Sequence, residues 1–341
     1  MKKVIAILLV LGLLLALGAC SKSGGSASPG NVAPAGTKAP APAASDTSTV
    51  AVGAVILARD DVNEDEIFAL VSTIFENVSA ITQQHAKGGE LDLAFGAGVT
   101  SVPYHPGAAR YFQEKGLTVA AVKEGAGTGA KANLTFGTGS DTGTYYGFGS
   151  VLANYVSSAN DFTVTAVTSG GSKANIEDMD ANDVQLGFAQ SDVMSYAYNG
   201  ERLFETPIQG FSVVAALYME QVQIVTTNAA IASVADLKGK NVSIGAVGSG
   251  VYFNAVDVLN AYGLTEKDIK PVYQNFGDSA DSLKDGKIDA AFIVAGAPTT
   301  AITDLAASGS VYLVSLDESH TQSLLAASPF YSAYVIPAGT Y

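Results

Sequence analysis

LTFGTGSDTGTYYGFGSVLANYV, residues 134–156, sets a pattern that the rest of the chain repeats. A short apolar strand, Leu134 to Gly137, feeds a turn of Gly, Ser and Thr from Thr138 to Gly143, and a helix is expected to begin near Tyr145. Phe162 to Val167 leads in the same way into Thr168, Ser169, Gly170, Gly171 and Ser172. Leu186 to Ala189 and a helix from about Ser191 to Tyr198 make a third unit. Glycine lets a backbone approach a ligand closely, and the unpaired N–H groups of a helix's first turn favour a negative or strongly accepting group. Two such openings side by side in one sheet imply a site for a small polar anion.

A second core is expected to begin near Gln221. Val222 to Thr226, Val242 to Ile244, Lys270 to Tyr273, Ala290 to Val294 and Val311 to Val314 are strand-like, and helical patterns separate most of them. Its helix openings repeat the theme: Gly245, Gly248, Ser249 and Gly250 stand before Val251 to Tyr262, and Gly296, Ala297 and Pro298 before Thr299 to Ala307. The chain is therefore read as α/β, with two lobes presenting helix N-termini to a shared crevice, where open α/β sheets bind ligands.

Ahead of these units, Val50 to Ala58 reads as a buried strand and Glu64 to Thr82 as one amphipathic helix. The acids Asp60, Asp61, Glu64, Asp65 and Glu66 sit at that helix's start. A calcium loop does not fit, because Glu66 stands where its glycine belongs and Ser72 where its bidentate glutamate belongs. Complementing the helix N-terminus is the better account. Glu90 to Tyr104 is loosely patterned, Pro106 opens a short helix that stops at Gly116, and Ala121 to Lys131 reads as a linker.

Lys2 and Lys3, an apolar run from Val4 to Leu17, and then Gly18, Ala19 and Cys20 form a processing signal of the lipoprotein kind, with Cys20 carrying the lipid. Cys20 is the only cysteine, so no disulfide can form within the chain. Residues 21–46, rich in Ser, Gly, Ala and Pro, are expected to be a disordered tether. The net charge of −14 argues against nucleic acid as a partner.

Enzyme motifs do not fit. Gly137, Gly139 and Gly143 give a spacing one residue too long for a dinucleotide fingerprint, and neither a phosphate-binding P-loop nor a nucleophile elbow occurs. His85, His105 and His320 have no metal spacing, and His105 before Pro106 reads as a turn residue. No catalytic residue, metal or cofactor is expected. A hydrolase assembled from distant Ser, His and acid side chains would need a Ser and a His within hydrogen-bond reach in the crevice.

The stretches LTFGTGSDTGTYYGFGSVLANYV (Leu134 to Val156), VTSGGSKANIEDM (Val167 to Met179), VQLGFAQSDV (Val184 to Val193), SVADLKGKNVSIGAVGSG (Ser233 to Gly250) and AYVIPAGTY (Ala333 to Tyr341) resemble the TAXI-type solute receptors of tripartite ATP-independent periplasmic (TRAP) transporters. In that family AGTY is followed by an acidic stretch, a strand, a long helix and a closing HPGA motif. Here STVAVGAVILARDD (Ser48 to Asp61), the helix to Thr82 and VPYHPGAARYFQEKG (Val102 to Gly116) come first. The resemblance thus implies a circularly permuted, two-lobed, periplasmic-binding-protein (type II-like) fold, with Tyr341 close to Ser48 in space. Lobe I is expected over 47–219, made of 47–117, a joining segment 118–133 and 134–219, and lobe II over 220–341, with one hinge connection near Tyr218 to Gln221.

The same resemblance implies an extracytoplasmic, lipid-anchored, non-enzymatic receptor for a small carboxylate, dicarboxylate or glutamate-like, delivering it to a TRAP-type membrane permease. A sensor presenting its solute to a signalling receptor would have the same sequence features. The expected ligand-binding residues are Ser140, Thr142, Gly143 and Tyr145 from the first turn, Ser169, Gly170, Ser172 and Asn175 from the second, and Gln190, Ser191 and Asp192 from the third. Ser249, Tyr252, Ala297 and Pro298 are expected to close from the other lobe. Asp192 could instead cap its own helix.

Overall fold

The computed structural model describes residues 45–341. The expected signal at 1–20, Cys20 and residues 21–44 of the expected tether lie outside the described residues. The chain begins with β1 (Thr47–Arg59), α1 (Glu64–Glu76), α2 (Val78–Gln84), α3 (Leu93–Gly96) and α4 (Pro106–Glu114). Alternating units follow: β2 (Leu134–Gly137), α5 (Thr144–Ala159), β3 (Val164–Val167), α6 (Ser172–Asp180), β4 (Leu186–Gln190) and α7 (Ser191–Asn199). After the long β5 (Phe211–Thr226) the alternation resumes with β6 (Asn241–Ser243), α8 (Val251–Ala261), β7 (Lys270–Val272), α9 (Phe276–Lys284), β8 (Ala290–Ala295) and α10 (Thr300–Ser308). The chain closes with β9 (Tyr312–Leu313), α11 (Glu318–Ala327) and β10 (Ser332–Ile336).

Strand order explains how the site forms. One parallel triplet runs β3-β2-β4 and the other β7-β6-β8, so each places its first strand in the middle and its third innermost. Helical crossovers are what parallel neighbours require. Between the triplets lie β1 and β5, antiparallel from Ala51↔Gln221 to Arg59↔Phe211. β1 also pairs with β4, and β5 with β8, which joins both triplets into one 10-stranded sheet. This is the α/β, type II-like binding-protein arrangement expected from the sequence.

Hydrophobic patterning dictates this burial. β8 reads AAFIVA and is buried on both faces: Phe292 and Val294 enter one core with Val222, Ile224, Val242 and Ile244, while Ala291 and Ile293 enter another with Val225, Ile302 and Leu305. A further core collects Ile56, Leu57, Ile67, Val71, Phe112, Phe136, Phe148 and Phe188 around the other triplet. Burying a side chain of Phe148's size contributes roughly 2–3 kcal/mol, and it is fully enclosed.

One expectation is corrected. The helix drawn to Thr82 breaks at Asn77, whose Nδ2 donates to Thr73 O at 2.8 Å and competes with the helical backbone. The connection expected near Tyr218 to Gln221 lies inside β5, which begins at Phe211. The linker from Ala121 to Lys131 is pinned to the turn after β1: Gly127 N donates to Asp60 O at 2.7 Å, and Asn63 Nδ2 donates to Gly129 O at 2.9 Å. Asn63 also caps α1, as the reading of that turn as a helix start requires.

The two ends of the described chain meet. β10 pairs with the start of β1 through Thr47↔Ile336 and Ser48↔Val335, and Ala338 N donates to Asp46 Oδ1 at 2.9 Å. The Tyr341 side chain turns away, its hydroxyl donating to Gln223 and accepting from Thr299 N at 2.8 Å. Among the described residues no helix is long and apolar enough to cross a membrane.

Candidate functional site

Strand ends and glycine turns from both triplets enclose one cavity. The space open to the centre of a water-sized molecule is ≈ 60 Å³. At a water's share of about 30 Å³, that is room for roughly two waters. The first triplet contributes the turn before α5, the turn before α6 and the end of β4; the second contributes the turn before α8, Asn275 and Phe276 at the start of α9, and Val294 and Ala295.

Of the helices that open onto this cavity, α5, α6 and α8 begin without a side-chain cap, while α9 is capped by Asn275. Gly143, Gly171 and Gly250 hold the N-cap positions of α5, α6 and α8, and none supplies a capping hydrogen bond. Elsewhere α1, α3, α4 and α11 are capped by Asn63, Asp92, His105 and Asp317. No side chain of these N-caps takes a first-turn N–H, although Ala174 N of α6 is used by Gly248 O, and the helix dipole there favours an acceptor.

Glycine is favoured at two of these positions, by close approach at Gly250 and by backbone conformation at Gly171. A Cβ on Gly250 would stand 2.1 Å from Gln190 Oε1 and 2.9 Å from Ser172 Oγ, so α8 touches the opposite wall only because no side chain intervenes. Gly171 adopts φ 101°, and a Cβ there would meet Ser249 Cα at 3.5 Å. Direct hydrogen bonds also cross the mouth: Ala174 N donates to Gly248 O at 3.0 Å, Ala301 N to Thr142 O at 3.2 Å, and Thr144 Oγ1 to Gly296 O at 2.9 Å.

Of the residues expected from the sequence, Ser140, Gly143, Tyr145, Ser169, Gly170, Ser172, Gln190 and Ser249 line the cavity. The Tyr145 ring stacks on Phe188 at 4.5 Å, and its hydroxyl donates to Glu220 Oε2 at 2.8 Å. Burial pushes that phenol well above its ordinary range, and the Glu220 carboxyl adds to the effect. Ser172 Oγ accepts from Gln190 N at 3.1 Å, which ties the second turn to β4.

The others stand outside the wall. Asn175 Nδ2 donates to Thr138 O and Phe188 O at 2.7 and 2.8 Å, lacing β2 to β4 beneath the turns. Thr142 Oγ1 shares a hydrogen bond with Ser140 Oγ at 3.2 Å. Ser191 Oγ accepts from Gly53 N at 3.1 Å, on the β1 side. Tyr252 donates to Glu266 Oε2 at 2.9 Å, Ala297 N donates to Gln221 Oε1 at 2.7 Å, and Pro298 is likewise absent from the wall.

Asp192 neither caps α7, whose N-cap is Gln190, nor reaches the cavity. It is fully buried between α7 and α8, where Asn254 Nδ2 donates to its Oδ2 at 3.0 Å and to Tyr331 Oη at 2.9 Å. Tyr331 donates to Asp257 Oδ2 at 3.0 Å, and Asp257 Oδ1 pairs with Arg202 at 2.8 Å. Burial pushes Asp192 up to about 7 against the pull of the backbone N–H of Val193, with Asp257 raising it further.

Sequence reasoning missed Glu220, Asn275 and Phe276. Glu220 is the one acid in the strand FSVVAALYMEQVQIVT and is 2 % exposed, which is the signal that could have found it. No group of acids, histidines or cysteines among the described residues has a metal-binding arrangement.

A family described as NMT1-like matches residues 27–116 and 136–341. Among solved structures, the chain is similar to the alkanesulfonate-binding protein SsuA from Xanthomonas axonopodis pv. citri, bound to MOPS, at 21% identity over 55% of this chain and 62% of that one, with a TM-score of 0.39. The periplasmic aliphatic sulphonate binding protein SsuA from Escherichia coli matches at 19% identity over 55% and 57%, with a TM-score of 0.35. A periplasmic binding protein of high arginine specificity from Salmonella typhimurium matches at 16% identity over 61% and 83%, with a TM-score of 0.31. The match spans about three fifths of the length of the two SsuA chains.

Proposed function

The chain belongs to the NMT1-like family, and on that premise we propose that it is a solute-binding protein whose two halves close over a small carboxylate. The observation that carries this reading is the cavity walled from both sides by helix N-termini with no side-chain caps. Main-chain donors converging on one enclosed space can hold a carboxylate without a buried Arg. The proposed binding residues are Ser140, Tyr145, Ser169, Ser172, Gln190 and Ser249, with Asn275 and Phe276 closing from the second half. No reaction is proposed.

The finer parts of this reading are a lipid anchor at Cys20, placement outside the cytoplasm, lobes meeting near 219–220 and delivery of the solute to a TRAP-type permease. The lobes are proposed to be joined by paired strands rather than loops, since β1 bonds to β4 of one triplet, β5 to β8 of the other, and the two strands to each other. Circular permutation is supported by the pairing of β10 with the start of β1, which brings close together the two chain ends that the resembled family joins.

A thermal-shift screen of carboxylates, amino acids and neutral sugars tests the reading. A solute held only by the folded state adds about 2.7 kcal/mol of stability at a hundredfold excess over Kd. Carboxylate-bearing solutes are expected to raise Tm and neutral sugars to leave it unchanged; the reverse pattern refutes the anion-binding site.

A further inference from the structure

The cavity holds acceptors that the helix N-termini do not explain. Glu220 projects from β5 into its wall, almost wholly buried. Tyr145 donates to Oε2 at 2.8 Å, and among the described residues no Lys, Arg or His pairs with this carboxyl. Lys87, the basic group whose charge offsets it, is itself paired with Glu90 at 2.5 Å. Beside Glu220, the side chain of Gln190 is 2 % exposed, and its Oε1 has no hydrogen-bond partner. Among the described residues no basic side chain lines the cavity.

A buried acceptor without a donor, next to a buried acid that no basic group touches, is a place that a donor-bearing ligand would complete. We propose, resting on the solute-binding reading above, that the solute carries an ammonium group seated against Glu220 and Gln190 Oε1 while its carboxylate faces the uncapped helix N-termini. The ligand class is then a small zwitterionic amino acid, and a dicarboxylate lacking an amine is rejected. The space of ≈ 60 Å³ sets a compact solute.

Proton balance follows from the same geometry. Burial pushes Glu220 up to about 8, so in the empty cavity at pH 7 the carboxyl holds its proton. An arriving ammonium ionises it: the Glu220 O–H bond breaks, the proton leaves to the buffer, and the carboxylate pairs with the ligand's charge. Close to one proton is therefore released per amino acid bound at pH 7, and none for a carboxylate without an amine.

The test is titration calorimetry of the purified protein at pH 7 in phosphate and in Tris, whose ionisation enthalpies differ, with alanine against propionate and glutamate against glutarate. Within a pair the amino acid is expected to bind at least about 30-fold more tightly, with proton release. Glu220→Gln keeps an acceptor for Tyr145 and is expected to shrink that ratio to within about threefold and abolish the release, while its unliganded Tm stays at or above wild type. Propionate or glutarate binding as tightly as its amino partner overturns the proposal and leaves the carboxylate-binding reading standing. Failure of all these probes together with every solute of the thermal-shift screen brings both down.

Discussion

Replacing Asp192 with Asn gives a direct measure of what the contact between α7 and α8 costs. The carboxyl is fully buried and carried from 3.8 up to about 7, chiefly by desolvation. Its Oδ1 and the Oδ1 of Asn254 both lack partners, so the pair presents more acceptors than donors. A carboxyl whose folded pKa is raised stabilises fully below the unfolded value of 3.8 and loses that contribution as pH climbs through about 7. At 1.36 kcal/mol per pH unit, the loss accumulates to about 4 kcal/mol. Asn at this position still accepts from Asn254 Nδ2, carries no charge and adds an N–H donor. The stability difference between Asp192→Asn and wild type, from urea unfolding at pH 4, 5, 6, 7 and 8, is expected to rise from near zero at pH 4 to about 4 kcal/mol in the variant's favour at pH 8. The Asp192 charge also raises Glu220, so its removal acts on that titration in the same direction. Curves that run parallel across this range would refute the assignment of a buried, uncompensated carboxyl.

Gly250→Ala should wedge the mouth, because its Cβ would lie 2.1 Å from Gln190 Oε1; a weakening of solute binding by roughly tenfold or more is expected for an overpacked contact of 1–3 kcal/mol, with the urea midpoint nearly unchanged, and unaltered affinity would show that this contact plays no part in closure. For the permutation, joining residue 341 to 47 and opening the chain within 118–133 should yield a protein of the same far-ultraviolet circular dichroism and a similar Tm, since Ala338 N already reaches Asp46 at 2.9 Å; failure of that chain to fold would count against the proposed rearrangement.

Local chemistry was the part of this molecule most legible from its residues. The strand, glycine turn and helix units at 134–193 appear within a residue or two of their expected limits, because apolar runs, glycines and helix periodicity act over short distances. The turn serines and glycines of the cavity were visible for the same reason. Longer-range effects were not. The sequence 211–226 is uniformly apolar enough to hide that one strand crosses from pairing with β1 to pairing with β8, so its centre read as a connection. Asn175, Ser191 and Asp192 are polar residues near the turns whose partners sit on other elements, and proximity in sequence could not separate hydrogen-bonded supports from the wall itself. Glu220 escaped because a lone acid in an apolar strand gains meaning only when the opposing glycine turns arrive against it.

The pairing of β1 with β5 has a mechanical consequence. Two strands bonded along Ala51↔Gln221 to Arg59↔Phe211 can flex, but they cannot slide, since a slip of one residue would turn every buried side chain to the wrong face. Register shifts between Ala54 and Val55 and between Ile56 and Leu57 mark where such a ribbon bends most easily. Repeated opening would therefore follow a single arc, like a leaf spring, and return Gly250 to the same facing groups on every stroke.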